Sequence, residues 1–329
     1  MKPTPFRRRH ILLAGGALAA TTAAPAWAQS PAFPSRPITL VVGYPPGGST
    51  DLTARVLGEQ LARVLGQPVV IENVGGAGGA LGAQRVAQAA ADGHTLLLGS
   101  NNEMAIAGLI NPALRYDPLK QFTAVGRVAS QPMVLVASTQ SGMKDVPSFI
   151  ERVKQNPGRF SYGSSGVGTA LNLAGEMVKQ AAGLFIVHIP YRGVAPLTTD
   201  LIGGQLELGV FVLSSGLPQI TTGKVVALGV TERSRSAVAP DIPALSEAPT
   251  LRNVDIGTWF GLWGPAGLPA GVTQRLQAAL AESLKAPDLV QRLTSSGATI
   301  AAPGAPLADF QAAEIEKYRR IVQQANIRL

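Results

Sequence analysis

The chain has 329 residues, with 28 basic and 20 acidic side chains, a formal charge of +8 at pH 7, and no cysteine. The lack of cysteine excludes disulfides, thiolate catalysis and cysteine-ligated metal or iron–sulfur sites. Aromatic residues make up 5% of the chain, and no lysine or arginine cluster follows the first nine residues. Neither the basic surface nor the stacking platform typical of nucleic-acid binding is present, so we expect no nucleic-acid partner.

The first 28 residues have the composition of an export signal. Arginines at positions 7–9 precede an apolar stretch at 11–24, and Ala26-Trp27-Ala28 matches the pattern of a cleavage site. The general secretory and twin-arginine routes both fit this pattern. Cleavage near Ala28 removes Lys2 and the three arginines, which leaves 24 basic against 20 acidic residues and a charge of +4. That mild positive charge suits a protein that receives small anions.

Strand and helix patterns then alternate along the chain. In the first part we expect strands at 38–42, 69–71 and 95–98. A helix at 51–65 follows the first strand and an alanine-rich helix follows the second. The apolar face of the first helix is predicted to contain Leu52, Val56, Leu57, Leu61, Val64 and Leu65. This order predicts a mostly parallel sheet with helices on both faces.

A second series of strands begins near residue 133, and the pattern changes after residue 255. The predicted strands of this series lie at 133–137, 160–162, 185–189, 206–212 and 225–230. The tail predicts a strand at 256–263 and helices at 272–285, 288–294 and 306–324. We interpret the tail as returning to the first unit. The chain is then an α/β protein of two domains joined by two crossings, with a cleft between them.

Three glycine-rich turns follow strands and open helices, at residues 44–51, 74–79 and 162–169. The first N–H groups of a helix have no intrahelical partner and lie at the positive end of the helix dipole. Glycine lets a ligand approach this backbone closely, so such turns collect anions. In open α/β sheets, ligands bind at the carboxyl ends of the strands, where these turns lie. The alternative is that the turns only connect β to α.

Two other interpretations of the glycine-rich turns, a dinucleotide-binding site and a hydrolase nucleophile elbow, do not fit the residue spacing. The turn at 76–82 does not fit G-x-G-x-x-G because Leu81 stands where the third glycine belongs. Gly163-Ser164-Ser165-Gly166 resembles a nucleophile elbow, but Val167 replaces the closing glycine. An exported hydrolase using Ser164 or Ser165 remains the rival hypothesis, and it lacks an evident base.

Histidine-based chemistry also lacks its parts in the sequence. Only His94 and His188 remain after the predicted signal, with no H-E-x-x-H pattern. His188 lies in an apolar strand, as a core or strand-end histidine would. Asp51 at the start of the first helix is expected to accept hydrogen bonds from backbone N–H groups. We expect no metal, cofactor or catalytic residue.

Many short motifs in one order resemble those of a known family. They are Pro46-Gly47-Gly48-Ser49-Thr50-Asp51, Glu72-Asn73 before the 75–79 turn, Ala91-Asp92-Gly93-His94-Thr95-Leu96-Leu97, Asn111-Pro112, Tyr116-Asp117-Pro118, the 162–169 turn, Pro190-Tyr191-Arg192-Gly193 and Asp200-Leu201-Ile202-Gly203-Gly204-Gln205. From about Pro37 to the C-terminus the chain resembles the tripartite tricarboxylate transporter substrate-binding family, the Bug-type periplasmic receptors.

The resemblance implies the type II periplasmic-binding-protein fold, in which two α/β domains close on a small carboxylated ligand like a flytrap. It places domain 1 at 29–131 plus 245–329 and domain 2 at 132–244, after a signal at 1–28. It implies a monomeric periplasmic receptor that delivers its ligand to the membrane subunits of a tripartite tricarboxylate transporter, or instead to a sensor.

The family holds carboxylates with backbone N–H groups and small hydroxyls. Carried over by motif, the ligand-binding residues are Gly47, Gly48, Ser49, Ala77, Gly78, Ser100, Asn101, Ser164, Gly168, Thr169, Asn172, Arg192 and Phe211. Asn172 stands where relatives usually have histidine, and Phe211 where they often have aspartate. An aspartate there could pair with the ammonium of an amino acid. We therefore hypothesise that this receptor prefers an amine-free acid, with Phe211 contacting its body.

Overall fold

The structure is a computed structural model that describes Met1 and residues 33–325. The predicted signal at 1–28 lies outside the described residues apart from Met1. The residues from Phe33 onward belong to one compact unit. None of the described helices is both long and apolar enough to cross a membrane.

Strands and helices alternate as the sequence patterns predict, but the sheets are mixed and not mostly parallel, because β4 and β9 pair antiparallel with their neighbours. The strands are β1 (Ile38–Val42), β2 (Val69–Asn73), β3 (Thr95–Ser100), β4 (Phe122–Ser138), β5 (Ser161–Ser164), β6 (Val187–Pro190), β7 (Leu208–Val212), β8 (Val225–Val230), β9 (Gly257–Pro265) and β10 (Thr299–Ile300). The helices are α1 (Ser49–Leu65), α2 (Ala80–Ala87), α3 (Ala107–Ile110), α4 (Val146–Gln155), α5 (Ala170–Ala182), α6 (Val194–Ile202), α7 (Leu213–Thr221), α8 (Ala270–Ser283), α9 (Pro287–Thr294) and α10 (Ala308–Ala325).

The strands follow the order β2-β1-β3-β9-β4-β7-β5-β6. β1 pairs in parallel with β2 and β3, and β5 pairs in parallel with β6 and β7. β9 runs antiparallel between β3 and β4. We call β2-β1-β3-β9-β4 with β10 the first sheet, and β4-β7-β5-β6 with β8 the second sheet.

The long strand β4 belongs to both sheets. Residues 122–132 pair with β9, whereas residues 133–138 pair with β7 and β8. The sequence predicts only residues 133–137 of this strand. Its first half contains Gly126 and two register shifts against β9, which break the alternation that identifies a strand. The continuous strand therefore connects the two sheets directly.

Apolar helix faces cover the sheets. Leu57 and Leu61 of α1 are fully buried with Leu40 and Leu98 of the first sheet and Leu276 of α8. Leu52 departs from its predicted place on this face, because its side chain is 37% exposed. It lies in the first turn, where α1 has only just left the loop after β1. The middle and the C-terminal part of α1 thus pack against the sheet, whereas its first turn lies beside the loop after β1.

We expect Leu61→Ala to lower the free energy of unfolding by about 2–5 kcal/mol, because it leaves a cavity under α1. Urea denaturation followed by circular dichroism would measure the change. Leu52→Ala in the same helix is the matched control, with an expected effect of about 0.5 kcal/mol or less because Leu52 is exposed. Equal losses in the two variants would contradict the packing described for α1.

Candidate ligand-binding site

An inner chamber lies where the loops after β1, β3, β5 and β6 meet the strands that connect the sheets. Its free volume for water-sized molecules is about 60 Å³, which is room for several waters or one small organic molecule. The lining residues are Tyr44, Pro45, Pro46, Gly48, Ser49, Thr50, Ser100, Asn102, Met133, Ser165, Ala170, Leu171, Arg192, Gly193, Val194, Ala195, Pro196, Val212 and Thr258.

Three helices begin at the wall of this chamber. The chamber lining includes the first residues of α1, α5 and α6. In α1 the first intrahelical bond runs from the N–H of Leu52 to the carbonyl of Gly48, so the N–H groups of Ser49 and Thr50 precede the ladder. Each start adds the positive end of a helix dipole. The chamber is therefore suited to an anion.

The charged side chains around the chamber reinforce this polarity. Its lining, among the described residues, includes no aspartate, glutamate or lysine, and Arg192 supplies the one guanidinium. Arg192 is exposed and forms no ion pair or side-chain hydrogen bond within the described part of the chain. A positive charge without a protein partner thus lies at the chamber.

Asp51, the acidic residue in the first turn of α1, does not line the chamber. The carboxylate of Asp51 accepts hydrogen bonds from the N–H of Gly47 at 3.0 Å, from Arg55 Nε at 2.9 Å and from Asn73 Nδ2 at 3.0 Å. Burial opposes ionisation, but the hydrogen bonds from Arg55, Gly47 and Asn73 hold the pKa of Asp51 below its usual value. As expected from the sequence, Asp51 fixes the turn that opens α1.

Asn102 connects loops from both sheets across the chamber. Its Nδ2 donates to the hydroxyl of Tyr44, and its Oδ1 accepts from the N–H of Ala170 at 2.7 Å. Tyr44 in turn donates to the carbonyl of Gly78 at 2.8 Å. One polar chain therefore joins the loops after β1, β2 and β3 to the start of α5.

A buried carboxyl group lies directly behind the chamber wall. Glu103 has no exposed surface, and its side chain accepts hydrogen bonds from Ser100 N at 2.6 Å and Ser100 Oγ at 2.7 Å. Burial raises the pKa of Glu103 to about 7, although the hydrogen bonds of Ser100 oppose the rise. Since Ser100 lines the chamber, the protonation of Glu103 changes the charge next to a bound anion.

A larger outer cavity adjoins the inner chamber. It has a free volume of about 690 Å³ and is lined by the glycine turn at 75–79, residues 165–167 and residues 190–193. Pro45, Ser165 and Arg192 line both spaces. The outer cavity therefore leads to the same guanidinium as the inner chamber.

The structure brings part of the predicted residue set together. Gly48, Ser49, Ser100 and Arg192 line the inner chamber. Ala77 and Gly78 line the outer cavity, as does Arg192. The first glycine turn and the Arg192-Gly193 turn therefore meet at the inner chamber, whereas the second glycine turn faces the outer cavity.

Other predicted residues have their polar groups engaged inside the protein. The N–H of Gly47 is taken by Asp51 at 3.0 Å. Asn101 is fully buried and donates to Tyr318 Oη at 2.6 Å, and its Oδ1 accepts from Thr258. Its neighbour Asn102, where a π-helical turn begins, lines the chamber instead.

The residues predicted at the start of α5 form a cap of their own. Thr169 Oγ1 accepts from the N–H of Asn172 at 3.4 Å, and Asn172 Oδ1 accepts from the N–H of Gly168 at 2.9 Å. Asn172 Nδ2 donates to Tyr162 Oη at 2.7 Å. Gly168 has φ +71°, a left-handed conformation that favours glycine. The structure places none of these three residues in the chamber lining.

The structure also does not bring Phe211 to the chamber. Its side chain is 1% exposed and packs with Val134, Leu197 and Leu201 in an apolar cluster of the second sheet. Side chains alternate along a strand, and on β7 it is Val212 that lines the chamber. Val212, one residue further along, thus occupies the place in the chamber lining that was expected for Phe211.

Ser164 forms a hydrogen bond with His188 but is not accessible. Ser164 Oγ lies 2.7 Å from His188 Nε2 and also donates to the carbonyl of Gly166 at 3.0 Å. Ser164 has no exposed surface and lines neither the inner chamber nor the outer cavity. Burial lowers the pKa of His188 to about 4. The pair holds the loop after β5, and its neighbour Ser165 is the serine that faces both spaces.

Sequence reasoning missed most of the side chains that give the chamber its shape. Tyr44, Asn102, Met133, Leu171, Val212 and Thr258 all line it. Tyr44, Asn102 and Leu171 flank residues that the motifs do identify. Met133 and Thr258 come from the connecting strands β4 and β9, where no local pattern indicates a site.

The fold and the chamber are those of a solute-binding protein. The family profile described as "Tripartite tricarboxylate transporter family receptor" matches residues 53–327. A relative from Pseudomonas sp. strain P51, the UPF0065 protein of the tcbD-tcbE intergenic region, is 36% identical over 316 residues, which is 95% of this chain and 94% of that protein.

Two solved structures extend the likeness to three dimensions. The periplasmic binding protein BugD is 33% identical with a TM-score of 0.85, covering 90% of this chain and 99% of that one. MatC from Rhodopseudomonas palustris with bound malate is 33% identical with a TM-score of 0.82, covering 88% of this chain and 100% of that one.

The chain belongs to the tripartite tricarboxylate transporter receptor family. This confirms the resemblance drawn from its motifs and the α/β periplasmic-binding-protein fold. Members and solved relatives are solute-binding proteins, so the chain is a receptor and the hydrolase hypothesis is set aside.

We expect aspartate to bind at least about 10-fold more weakly than succinate, which differs from it only by the amine. No carboxylate lines the chamber among the described residues, so an ammonium loses water without gaining a partner, at a cost of about 1–3 kcal/mol or more. Isothermal titration calorimetry would compare the two acids. Aspartate or glutamate binding more tightly than every amine-free acid tested would contradict this expectation.

Glu103→Gln tests the buried carboxyl behind the chamber. Because the folded-state pKa of Glu103 is raised from 4.5 to about 7, the native protein keeps a proton that the unfolded chain loses. Its contribution to stability is present below pH 4.5 and is lost as the pH rises to about 7. Over that window the unfolding free energy of wild type should fall by on the order of 3 kcal/mol relative to Glu103→Gln.

Chemical denaturation at several pH values would measure this difference. Glu151→Gln, the same change at an exposed position, is the matched control for the substitution itself. A difference between wild type and Glu103→Gln that does not change with pH would show that Glu103 ionises normally.

Proposed function

We propose that this chain captures a small organic carboxylate in the inner chamber. The observation that carries the proposal is the meeting of three helix starts and an unpaired Arg192 at a chamber whose lining holds no acidic residue among the described residues. The N–H groups of Ser49 and Thr50, those of Val194 and Ala195 at the start of α6, and the guanidinium are the donors for the carboxylate. At the start of α5 the N–H of Ala170 is taken by Asn102, so this helix contributes the positive end of its dipole.

The size of the chamber supports a short acid. A volume of about 60 Å³ admits a chain of a few carbons, and a solved relative contains malate. Ser100 and Asn102 contribute polar contacts, while Met133, Leu171 and Val212 give the chamber an apolar wall. Longer acids would extend past Arg192 toward Ala77 and Gly78 in the outer cavity.

We further propose that residues 29–131 with 245–329 form one domain and residues 132–244 the other, and that they close on the ligand. The pairing of β4 changes from β9 to β7 and β8 between Pro132 and Met133, which supports one crossing there. Thr231 supports the second, because its N–H donates to the carbonyl of Met133 at 2.9 Å and its carbonyl accepts from Ile256 at 3.0 Å. These short connections would act as the hinge.

The proposed setting is the periplasm, after export and cleavage near Ala28. The family description as a transporter receptor supports delivery of the acid to the membrane subunits of a tripartite tricarboxylate transporter. A sensor is the alternative recipient. The protein would act as a monomer, since the chamber is completed by one chain.

Arg192→Met tests the receptor proposal. Loss of the guanidinium should weaken the binding of succinate or malate by about 10- to 100-fold, the value expected for a charge-assisted hydrogen bond. Calorimetric titration of the purified mature protein would measure both acids. Arg159→Met, at another exposed arginine, is the matched control and should bind as wild type does.

Two outcomes would count against the proposal. The first is that no short carboxylate, hydroxylated or not, binds to the wild type. The second is that Arg192→Met and Arg159→Met bind equally well.

A further inference from the structure

A third cavity is lined by six charged side chains. It has a free volume of about 330 Å³ and lies between β4, β9, α10 and residues 232–234 after β8. We call it the charged cavity. Among the described residues, its lining shares Thr258 with the inner chamber and nothing with the outer cavity. Ligand sites commonly have volumes of about 300–1,000 Å³. The charged cavity is therefore a separate space that is large enough for a small organic molecule.

Four of the six charges in this cavity are paired within the protein. Arg233 Nε lies 3.0 Å from Asp255 Oδ2. Lys317 Nζ lies 3.9 Å from Glu314 Oε1, one turn away on α10. Each of these pairs joins one cation to one anion. One cation and one anion of the lining are left without such a partner.

Arg127 of β4 is the cation that remains. Its guanidinium carbon lies 3.8 Å from the centre of the Phe310 ring, and its side chain forms no hydrogen bond or ion pair in the described part of the chain. The ring covers one face of the guanidinium, whereas the N–H groups point outward in its plane. These N–H groups are therefore free for a carboxylate, which a guanidinium binds through two parallel hydrogen bonds.

Glu232 is the anion that remains. Its carboxylate lies beside Gly257 of β9, and the half-buried side chain forms no hydrogen bond or ion pair within residues 33–325. Burial and the charge of Asp255 raise the pKa of Glu232, and Lys317 opposes this rise. The charge of Glu232 is thus incompletely compensated by the protein. An ammonium in the cavity would stabilise the ionised carboxylate.

We propose that the charged cavity is a second ligand site, which binds a small zwitterion with its carboxylate at Arg127 and its ammonium at Glu232. These two side chains line one cavity without pairing with each other. A ligand that has both charges therefore satisfies both of them, whereas a simple anion or cation leaves one unpaired. The lining contains three acidic and three basic side chains, which suits a ligand without net charge. A neutral α-amino acid is such a ligand, and Phe310 and Trp259 offer its side chain an aromatic surface.

The position of the cavity gives a bound zwitterion a structural consequence. Arg127 precedes the change of pairing in β4, whereas Glu232 directly follows Thr231 at the second crossing. The two side chains thus belong to different proposed domains. A ligand bonded to both would connect these domains without occupying the inner chamber. The proposal goes beyond the receptor function, because the residues that would hold the zwitterion are not those proposed for the carboxylate solute.

Norvaline and pentylamine test the proposal, because norvaline has a carboxylate and an ammonium whereas pentylamine has only the ammonium. Each would be titrated by calorimetry into the mature protein. We expect norvaline to bind at least about 10-fold more tightly than pentylamine, since it adds a charge-assisted hydrogen bond to Arg127.

Variants of the two unpaired residues locate the site. Arg127→Met removes the proposed partner of the carboxylate and Glu232→Gln that of the ammonium, so each should weaken norvaline binding by about 10-fold or more. Arg159→Met and Glu151→Gln make the same changes at exposed positions and should bind norvaline as wild type does. Arg192→Met should also leave norvaline binding unchanged, because Arg192 lines the other two spaces.

Three results would overturn the proposal. The first is that norvaline does not bind to the wild type. The second is that pentylamine binds as tightly as norvaline. The third is that Arg192→Met loses norvaline binding while Arg127→Met or Glu232→Gln keeps it, which would place norvaline in the inner chamber. Circular dichroism would establish that each variant is folded, and either variant of the charged cavity suffices if the other does not fold.

The two proposals fail separately. Succinate would be titrated into the same samples. Binding of norvaline without binding of any short carboxylate would contradict the receptor proposal and support the second site. Binding of succinate without binding of norvaline would leave the receptor proposal standing and overturn the second site.

Discussion

The first N–H groups of α1, α5 and α6 have no partners within their helices, and the site depends on where these groups point. Each helix is positioned by the strand before it: β1 carries α1, β5 carries α5 and β6 carries α6. The apolar packing of Leu57 and Leu61 fixes α1 while leaving its start at the loop. Asp51 would cancel the polarity of that start if it faced the chamber, and its hydrogen bonds with Arg55, Gly47 and Asn73 turn it elsewhere.

When backbone N–H groups bind the carboxylate, affinity for the anion and selectivity among anions depend on different parts of the protein. Backbone N–H groups at a helix start are present whatever side chains surround them, so the carboxylate contact tolerates sequence change. In the proposed receptor, selection among acids would then depend on the side chains of β4, β7 and β9 that line the chamber, which include Met133, Val212 and Thr258. The strands that connect the two sheets would therefore also determine ligand selectivity.

The sequence predicts the parts of the site that depend on local pattern. Gly48 and Ser49 follow from a strand, a glycine turn and a helix in succession, and Arg192 from its place before Gly193. At Asn101 and Phe211 the chamber lining differs from the predicted set by one residue, because Asn102 and Val212 line it. The amide of Asn101 bonds to Tyr318 and Thr258 inside the protein, whereas Asn102 lines the chamber. At Phe211 the strand period of two leaves both phases open, because Phe211 and Val212 are apolar alike.

Other parts of the site could not follow from local pattern at all. Met133 and Thr258 meet across strands more than 100 residues apart in sequence, and periodicity within one strand does not reveal its neighbours. Gly168 and Asn172 look like ligand groups in a glycine turn, yet the N–H of Gly168 donates to Asn172 Oδ1 and Asn172 Nδ2 donates to Tyr162 Oη. The sequence does not show whether an N–H group in such a turn is free for a ligand or already bonded within the protein. Only the three-dimensional structure shows this.

The hydrogen bond from Ala170 N to Asn102 Oδ1 joins residues of the two proposed domains, so it bears on the energetics of their proposed closure. Contacts made by protein atoms alone favour the arrangement that grips a solute, so a larger fraction of molecules is competent before capture and less affinity is lost to reorganisation. The same contacts would make the ligand-free conformation more similar to the ligand-bound one. A recipient protein would then distinguish the two forms less well. Weakening these contacts, for example by a substitution of Asn102, would lower the affinity for the ligand. It would also increase the conformational difference between the ligand-bound and the ligand-free protein.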